Sequence, residues 1–407
     1  EAEIASQDDW TNTFILTTVP DGAETGDVVV ATETGTSDPI PFEVTDGSTF
    51  SPSNIQWSET EALPVALSGH DAVHLSTGEI GSTTEFVHVT GGASDDDAPR
   101  TDVRFSEIDP DATLVGWNEA ADLPAPRAFH ASVAATPFNS RVDGDGWLYV
   151  LGGIESDGGD PVRTVFRAPL QTDGSLGAWE ETAALPEALH SPGAVIFRSN
   201  VYVAGGAGPG DDPSGSVYRA PVDSLGELGD WTELAALPDG RAYHDFTVIG
   251  NCLHVFAGES AAVGPDDATI TDTRLTTVLK NRIDLRTDDL RSSSWSADDS
   301  ELGNDGRSKH TALIAGGGVL VTAGLYNGVK GSLGNAEQIF AQIESDCEVQ
   351  DFGGATNEDN IKKNGGANLF NHAAATFVDG DGQAHVMILG GDDVDDPGTR
   401  RAEVWVF

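Results

Sequence analysis

Two short phrases carry side chains of a kind that do chemistry. Arg127 and His130 stand together in LPAPRAFHA, and Arg241 and His244 repeat the same spacing in LPDGRAYHD. A guanidinium grips a carboxylate through two parallel hydrogen bonds, and an imidazole takes or gives a proton near neutral pH. Together they would suit a sugar acid, with the histidine or a glutamate moving the proton. Aspartates form a second group: Asp95, Asp96 and Asp97; Asp211 and Asp212; Asp392, Asp393 and Asp395. Clustered carboxylates are the oxygen ligands calcium takes, so Ca2+ is the cofactor these residues would hold. They lack the spacing of a helix–loop–helix calcium loop, and turn and solvation chemistry explains them equally. A Ser-His-Asp arrangement, a phosphate loop and a zinc helix motif are all lacking.

The elements that must position these groups recur along the chain. Leu123 to Trp179 is the clearest unit: HASVAA, a turn at Asp143-Gly144-Asp145-Gly146, WLYVLGG, an acidic loop, TVFRAPLQ, a second turn and Trp179. Alternating apolar residues between glycine-bearing turns predict four short strands. A histidine marks each copy, at His70, His130, His190, His244, His310 and His372, with 54 to 66 residues between them. A small pair follows each: Gly91-Gly92, Gly152-Gly153, Gly205-Gly206, Ala257-Gly258, Ala323-Gly324 and Gly390-Gly391. Trp57, Trp117, Trp179, Trp231 and Trp295 mark the last strand of a unit, with Phe352 in the sixth place. One such sheet cannot bury its own faces, so the units must stack.

A repeat of this length with diglycine and tryptophan marks resembles the kelch repeat, the blade of a β-propeller. The resemblance covers about residues 55–407 and implies an all-β, six-bladed kelch-like propeller. The sixth unit ends at AEVWVF without a tryptophan strand, whereas Trp57 opens the region with a strand that lacks inner partners. The Trp57 strand is therefore expected to complete the last blade and close the ring. Residues 1–46 fall outside the repeat. Val19-Pro20-Asp21-Gly22-Ala23-Glu24-Thr25-Gly26 resembles the C-terminal half of a TIG (IPT) immunoglobulin-like domain, and 47–56 reads as a linker.

On a ring, the six histidines would surround the channel. A set of imidazoles can bind a transition metal. In kelch-like repeats, however, a polar residue here often satisfies neighbouring backbone groups. Tyr243-His244 is similar to the pair used by kelch-fold copper radical oxidases, but no cysteine stands where their crosslinked tyrosine needs one. The LPxxRxxHA openings are also similar to a six-bladed sialic acid mutarotase, which puts Arg127, His130, Arg241 and His244 at a channel mouth. Cys252 and Cys347 fall in turns on one face of neighbouring blades. A disulfide is allowed there, and two unpaired thiols are the alternative.

Composition narrows the partners. The net charge is −46, which repels nucleic-acid phosphate and anionic lipid. No apolar run reaches the roughly 20 residues of a membrane span, so membrane insertion is not expected. Two inserts, 261–280 with Asp266 and Asp267 and 357–369 with Lys362, Lys363 and Asn364, emerge on one face, where binding is expected. The sequence thus predicts an exported or cell-surface, non-catalytic binding or assembly protein. Its partner would be an extracellular protein, a polysaccharide or further copies of itself. The alternative is a mutarotase- or lyase-like enzyme on carbohydrate, with its site at the channel mouth.

Overall fold

The computed structural model describes residues 26–28, 31–32, 35–36, 40–42 and 57–407. The last range excludes 80–81, 138–139, 141, 265–272, 303–305, 316, 327–337, 344–346, 355–368, 380–382, 394–395 and 397–398. The architecture is an all-β propeller of six antiparallel blades. Counted from the channel outward, blade 1 is Asp71–Glu79, Ser82–Thr90, Val103–Ile108 and Asn118–Glu119. Blades 2 to 5 repeat this meander from innermost strands Ala131–Ala135, Gly193–Phe197, Asp245–Ile249 and Thr311–Ala315. Blade 6 contains Ala373–Val378, Ala384–Asp393 and Arg400–Val406, and its outermost strand is Ser58–Glu59 from the other end of the ring. Trp405 pairs with Glu59 and Val406 with Ser58, while Trp57 packs edge-on against Phe407 at 4.8 Å. Closure removes the exposed sheet edge that the repeat count left over.

Each blade is a small sheet with two apolar faces, so the core is divided among the six gaps between blades. Leu75, Phe86 and Phe105 of blade 1 pack with Ala134, Leu148 and Phe166 of blade 2. Met387 and Val404 of blade 6 meet Val87 and Val89 of blade 1 in the same way. Burying one valine or leucine fully contributes about 1.5–3 kcal/mol, so each gap is a core in its own right. Blade stacking is what makes the short strands stable.

The marker residues act at these joints. In each small pair both residues take positive φ, for example 52° and 89° at Gly91 and Gly92. The second glycine then donates its amide to a carbonyl of the next blade: Gly92 to Arg127 (2.8 Å), Gly153 to Leu189 (2.8 Å) and Gly206 to Arg241 (2.9 Å). Gly258, Gly324 and Gly391 bond Arg307, Leu369 and Leu67 likewise. A side chain would collide with the ring: a Cβ on Gly92 would lie 2.6 Å from the Cβ of His70. The tryptophans form the outer joint. Trp117, Trp179, Trp231 and Trp295 donate their indole N–H to the carbonyls of Glu61, Ala121, Ala183 and Ala235 on the preceding blade, at 2.7–3.2 Å.

Within the N-terminal segment, Gly26–Val28 pairs with Ile40–Phe42 and Ala31–Thr32 with Gly35–Thr36. Among the described residues no helix is long and apolar enough to cross a membrane.

Candidate functional site

The channel mouth is built where the chain enters each innermost strand. Gly69, Phe129, Ser191, Tyr243, Lys309 and Asn371 occupy equivalent positions, and all six have φ between 47° and 59°. That left-handed turn costs a non-glycine residue about 1–2 kcal/mol. It is offset by backbone hydrogen bonds that run around the mouth from Tyr243 through Gly69 to Ser191: Phe129 N–H to Gly69, Ser191 to Phe129, Lys309 to Tyr243, Asn371 to Lys309 and Gly69 to Asn371, at 2.6–3.3 Å. The side chains lean on neighbouring blades. A Cβ at Gly69 would sit 2.5 Å from the Phe129 ring, and the Lys309 ammonium lies 4.8 Å from the centre of the Tyr243 ring. The remaining mouth cavity is about 110 Å³.

The next position holds the ring residue, and here the sequence reading needs a correction. Five blades place a histidine there, but blade 3 places Pro192. His190 is two residues out of phase: it pairs with Ala207 as Ala128 pairs with Ile154 one blade earlier. The φ of Ser191 and the Gly153–Leu189 bond give the same register. His190 Nε2 instead meets Asp211 Oδ1 at 3.0 Å.

Each of the five ring imidazoles turns to the end of the second strand in the preceding blade. His130 shares a hydrogen bond with Thr90 Oγ1 (2.8 Å), and His372 lies 3.3 Å from Thr322 Oγ1. His70, His244 and His310 lean on the backbone of Leu389, Ala204 and Phe256. Burial pushes their pKa values down, to about 4 for His70 and about 3 for His130, His244, His310 and His372. They are neutral at pH 7 and act as spacers between blades.

Two carboxylates serve the free edges of the innermost strands. Asp71 Oδ2 accepts the Ser132 amide (2.5 Å), and Asp245 Oδ2 accepts the Ala312 amide (2.7 Å) on the next blade. Both are half-buried at the start of innermost strands, and desolvation raises them to about 7 and about 6. Sequence reasoning missed this pair, although an aspartate directly after the ring histidine, in HDA and HDF, was the available signal.

The arginines do not reach the mouth. The Arg127 side chain is 0% exposed; its Nη1 donates to Glu155 Oε1 (2.7 Å) and to the carbonyl of Pro126 (2.7 Å). Arg241 is equally enclosed, donates to the carbonyl of Ala257 (2.9 Å), and is brought down by burial to about 10. Neither guanidinium presents the fork that a sugar carboxylate would need.

The acidic positions are spread around the rim and engaged by protein donors. Asp97 takes Arg400 (2.7 Å), and Asp96 takes the Ser94 hydroxyl (2.8 Å). Asp392 takes Asn371 (3.1 Å) and Ser68, and Asp393 takes Arg401. Asp95 and Asp212 are exposed. Among the described residues no group of three or more His, Cys, Asp or Glu is placed to hold a metal ion. Asp266, Asp267, Lys362, Lys363, Asn364 and Asp395 lie outside the described residues. Cys252 begins the second strand of blade 4 and is joined to Cys347 of blade 5 in a disulfide, with Cα atoms 6.0 Å apart.

Beta-scruin of Limulus polyphemus is similar, 24% identical over 227 residues, which is 54% of this chain and 22% of that protein. The chain is a kelch-like propeller. It spans less than a quarter of the length of that curated relative, and no protein-family profile matches it. Around the channel, Asp71 and Asp245 bond to the next blade, and His130 and His372 bond to Thr90 and Thr322 of the preceding one.

Proposed function

We propose that the chain is an exported, cell-surface binding disc that holds an extracellular protein, a polysaccharide or further copies of itself. The loops between second and third strands, and between one blade and the next, form the contact face. The observation that carries this reading is that ring histidines and Asp71 and Asp245 pack or bond across the blade joints, while Arg127 and Arg241 are buried within their own blades. Recognition is thereby left to the loops. Long connections on a rigid scaffold are where propellers of this kind place contacts. Export is supported by the Cys252–Cys347 disulfide, which persists in oxidising compartments. The TIG-like opening and the net charge of −46 suit a surface protein in a salt-rich exterior.

The reading is tested in two steps. Intact cells are labelled with a membrane-impermeant reagent, and the chain is expected among the labelled proteins. Purified chain carrying a photo-crosslinker at Ser260, on the proposed face, is then compared with one carrying it at Leu225, in the turn after the third strand of blade 3. Crosslinks from Ser260 alone support the reading; equal crosslinking from both sites, or labelling only after lysis, overturns it.

A further inference from the structure

The opposite end of the channel holds a second cavity, about 430 Å³, formed by the far ends of the innermost hairpins of blades 5, 6 and 1. One wall is a set of hydrogen-bond acceptors. His74 Nε2 meets Glu85 Oε2 at 2.8 Å, and the Ser76 hydroxyl donates to the same oxygen at 2.5 Å. These hydrogen bonds outweigh partial burial and hold the Glu85 carboxyl below its ordinary value, so it is ionised at neutral pH. The ionised carboxylate accepts the proton on His74 Nε2. Thr376 adds a hydroxyl to the lining. The other wall is apolar: Ile314, Phe377 and Val378, of which Ile314 and Val378 are 37% and 50% exposed. The His74 ring lies 5.9 Å from that of Phe377 and joins the two walls. Among the described residues, neither lysine nor arginine lines the cavity.

We propose that this cavity binds a primary alkylammonium group, carried by a lysine side chain of a protein partner. Three donors on the ammonium match the Glu85 carboxylate and the hydroxyl oxygens of Thr376 and Ser76. The methylene stem covers Ile314, Phe377 and Val378, as lysine stems commonly cover apolar surface. The cavity lies on the face away from the loop contacts, so its carrier is a second partner and not the one held by the loop face, and the site does not rest on the loop-face reading.

The test titrates the full chain with n-hexylamine at about 0.15 M salt, where long-range attraction to an acidic surface is screened. Binding is read by calorimetry against n-hexanol and hexanoate. Saturable one-site binding of the amine is expected, with the alcohol about tenfold weaker and the acid weaker still. Glu85→Gln lowers amine affinity about tenfold, whereas Glu233→Gln, on the outermost strand of blade 3, leaves it unchanged. Val378→Ser, at an exposed position, weakens the amine several-fold and keeps the test decisive if the Glu85 variant fails to fold. Equal binding of amine and alcohol, or equal loss in the Glu85 and Glu233 variants, overturns the site. Such a failure leaves the loop-face crosslinking result standing by itself.

Discussion

Ser58 donates its hydroxyl to the carbonyl oxygen of Val406 at 3.2 Å, across a sequence separation of 348. This contact belongs to the short strand pair that turns a linear array of blades into a ring. Without Ser58–Glu59, the strand Arg400–Val406 would present an unpaired edge, and Trp405 would lose its cover. A chain beginning at residue 62 should therefore unfold at lower urea concentration and associate through blade 6. Sedimentation and urea unfolding check this, and a monomer with unchanged midpoint would contradict it.

The second glycine of each pair has no room for a side chain. Gly92 has φ 89° and a Cβ there would press on His70, whereas Gly144, at φ 72°, has open space around it. Gly92→Ala combines backbone strain with displacement of a ring histidine and should cost about 3 kcal/mol or more. Gly144→Ala carries only the conformational penalty, about 1 kcal/mol. Denaturant midpoints of the two variants separate these cases.

The ring histidines and channel aspartates pull stability in opposite directions with pH. Histidines held near 3–4 when folded bind protons in the unfolded chain first, so stability rises as pH increases from about 4 to 6.5. Asp71 and Asp245, raised to about 7 and about 6, hold protons in the folded chain that the unfolded chain has released. Their contribution is present at low pH and is lost as pH climbs from about 4 towards 7. Five histidines outweigh two aspartates, so the melting temperature should fall between pH 6.5 and 4. In Asp71→Asn the decline should be steeper, because one opposing group is gone. Thermal melts across that range measure both slopes.

Cys252–Cys347 closes a loop with a sequence separation of 95 and ties blade 4 to blade 5. In the chain-entropy account a cross-link of that span contributes about 4–5 kcal/mol. Reduction, or the double replacement Cys252→Ser with Cys347→Ser, should lower the unfolding free energy by about 2–5 kcal/mol. Urea titrations with and without dithiothreitol read the difference.

Much of the ring was legible in the sequence because its joints are backbone features that only certain residues satisfy. At the second glycine of each pair, positive φ and a close neighbour together leave no room for a side chain, and the tryptophans recur because each reaches a fixed carbonyl one blade back. Blade 3 misled the reading because Leu189-His190-Ser191-Pro192 keeps a histidine in nearly the right place, while the turn register depends on φ at Ser191. Residue type alone does not report φ. The direction of Arg127 and Arg241 was illegible for a related reason: the same guanidinium can brace a loop or face a channel, and burial decides which. His74, Ser76 and Glu85 meet only because a hairpin register sets Ser76 across from Glu85.

The central claim is that the channel joins blades while the loop face recognises a partner. The stretch 261–280 runs into the third strand of blade 4, Thr277–Arg282, and 357–369 reaches the strand Leu369–Phe370, so deletions that spare both strands are 265–272 and 357–368. The claim is tested most directly by retention of the crosslinked partner on immobilised chain, compared among His130→Gln, deletion of 265–272 and deletion of 357–368. The account predicts that His130→Gln costs about 1–3 kcal/mol of stability and retains the partner, while one or both deletions release it. Loss of the partner in His130→Gln at a temperature where it remains folded, with full retention by both deletions, would contradict the account and move recognition to the channel mouth.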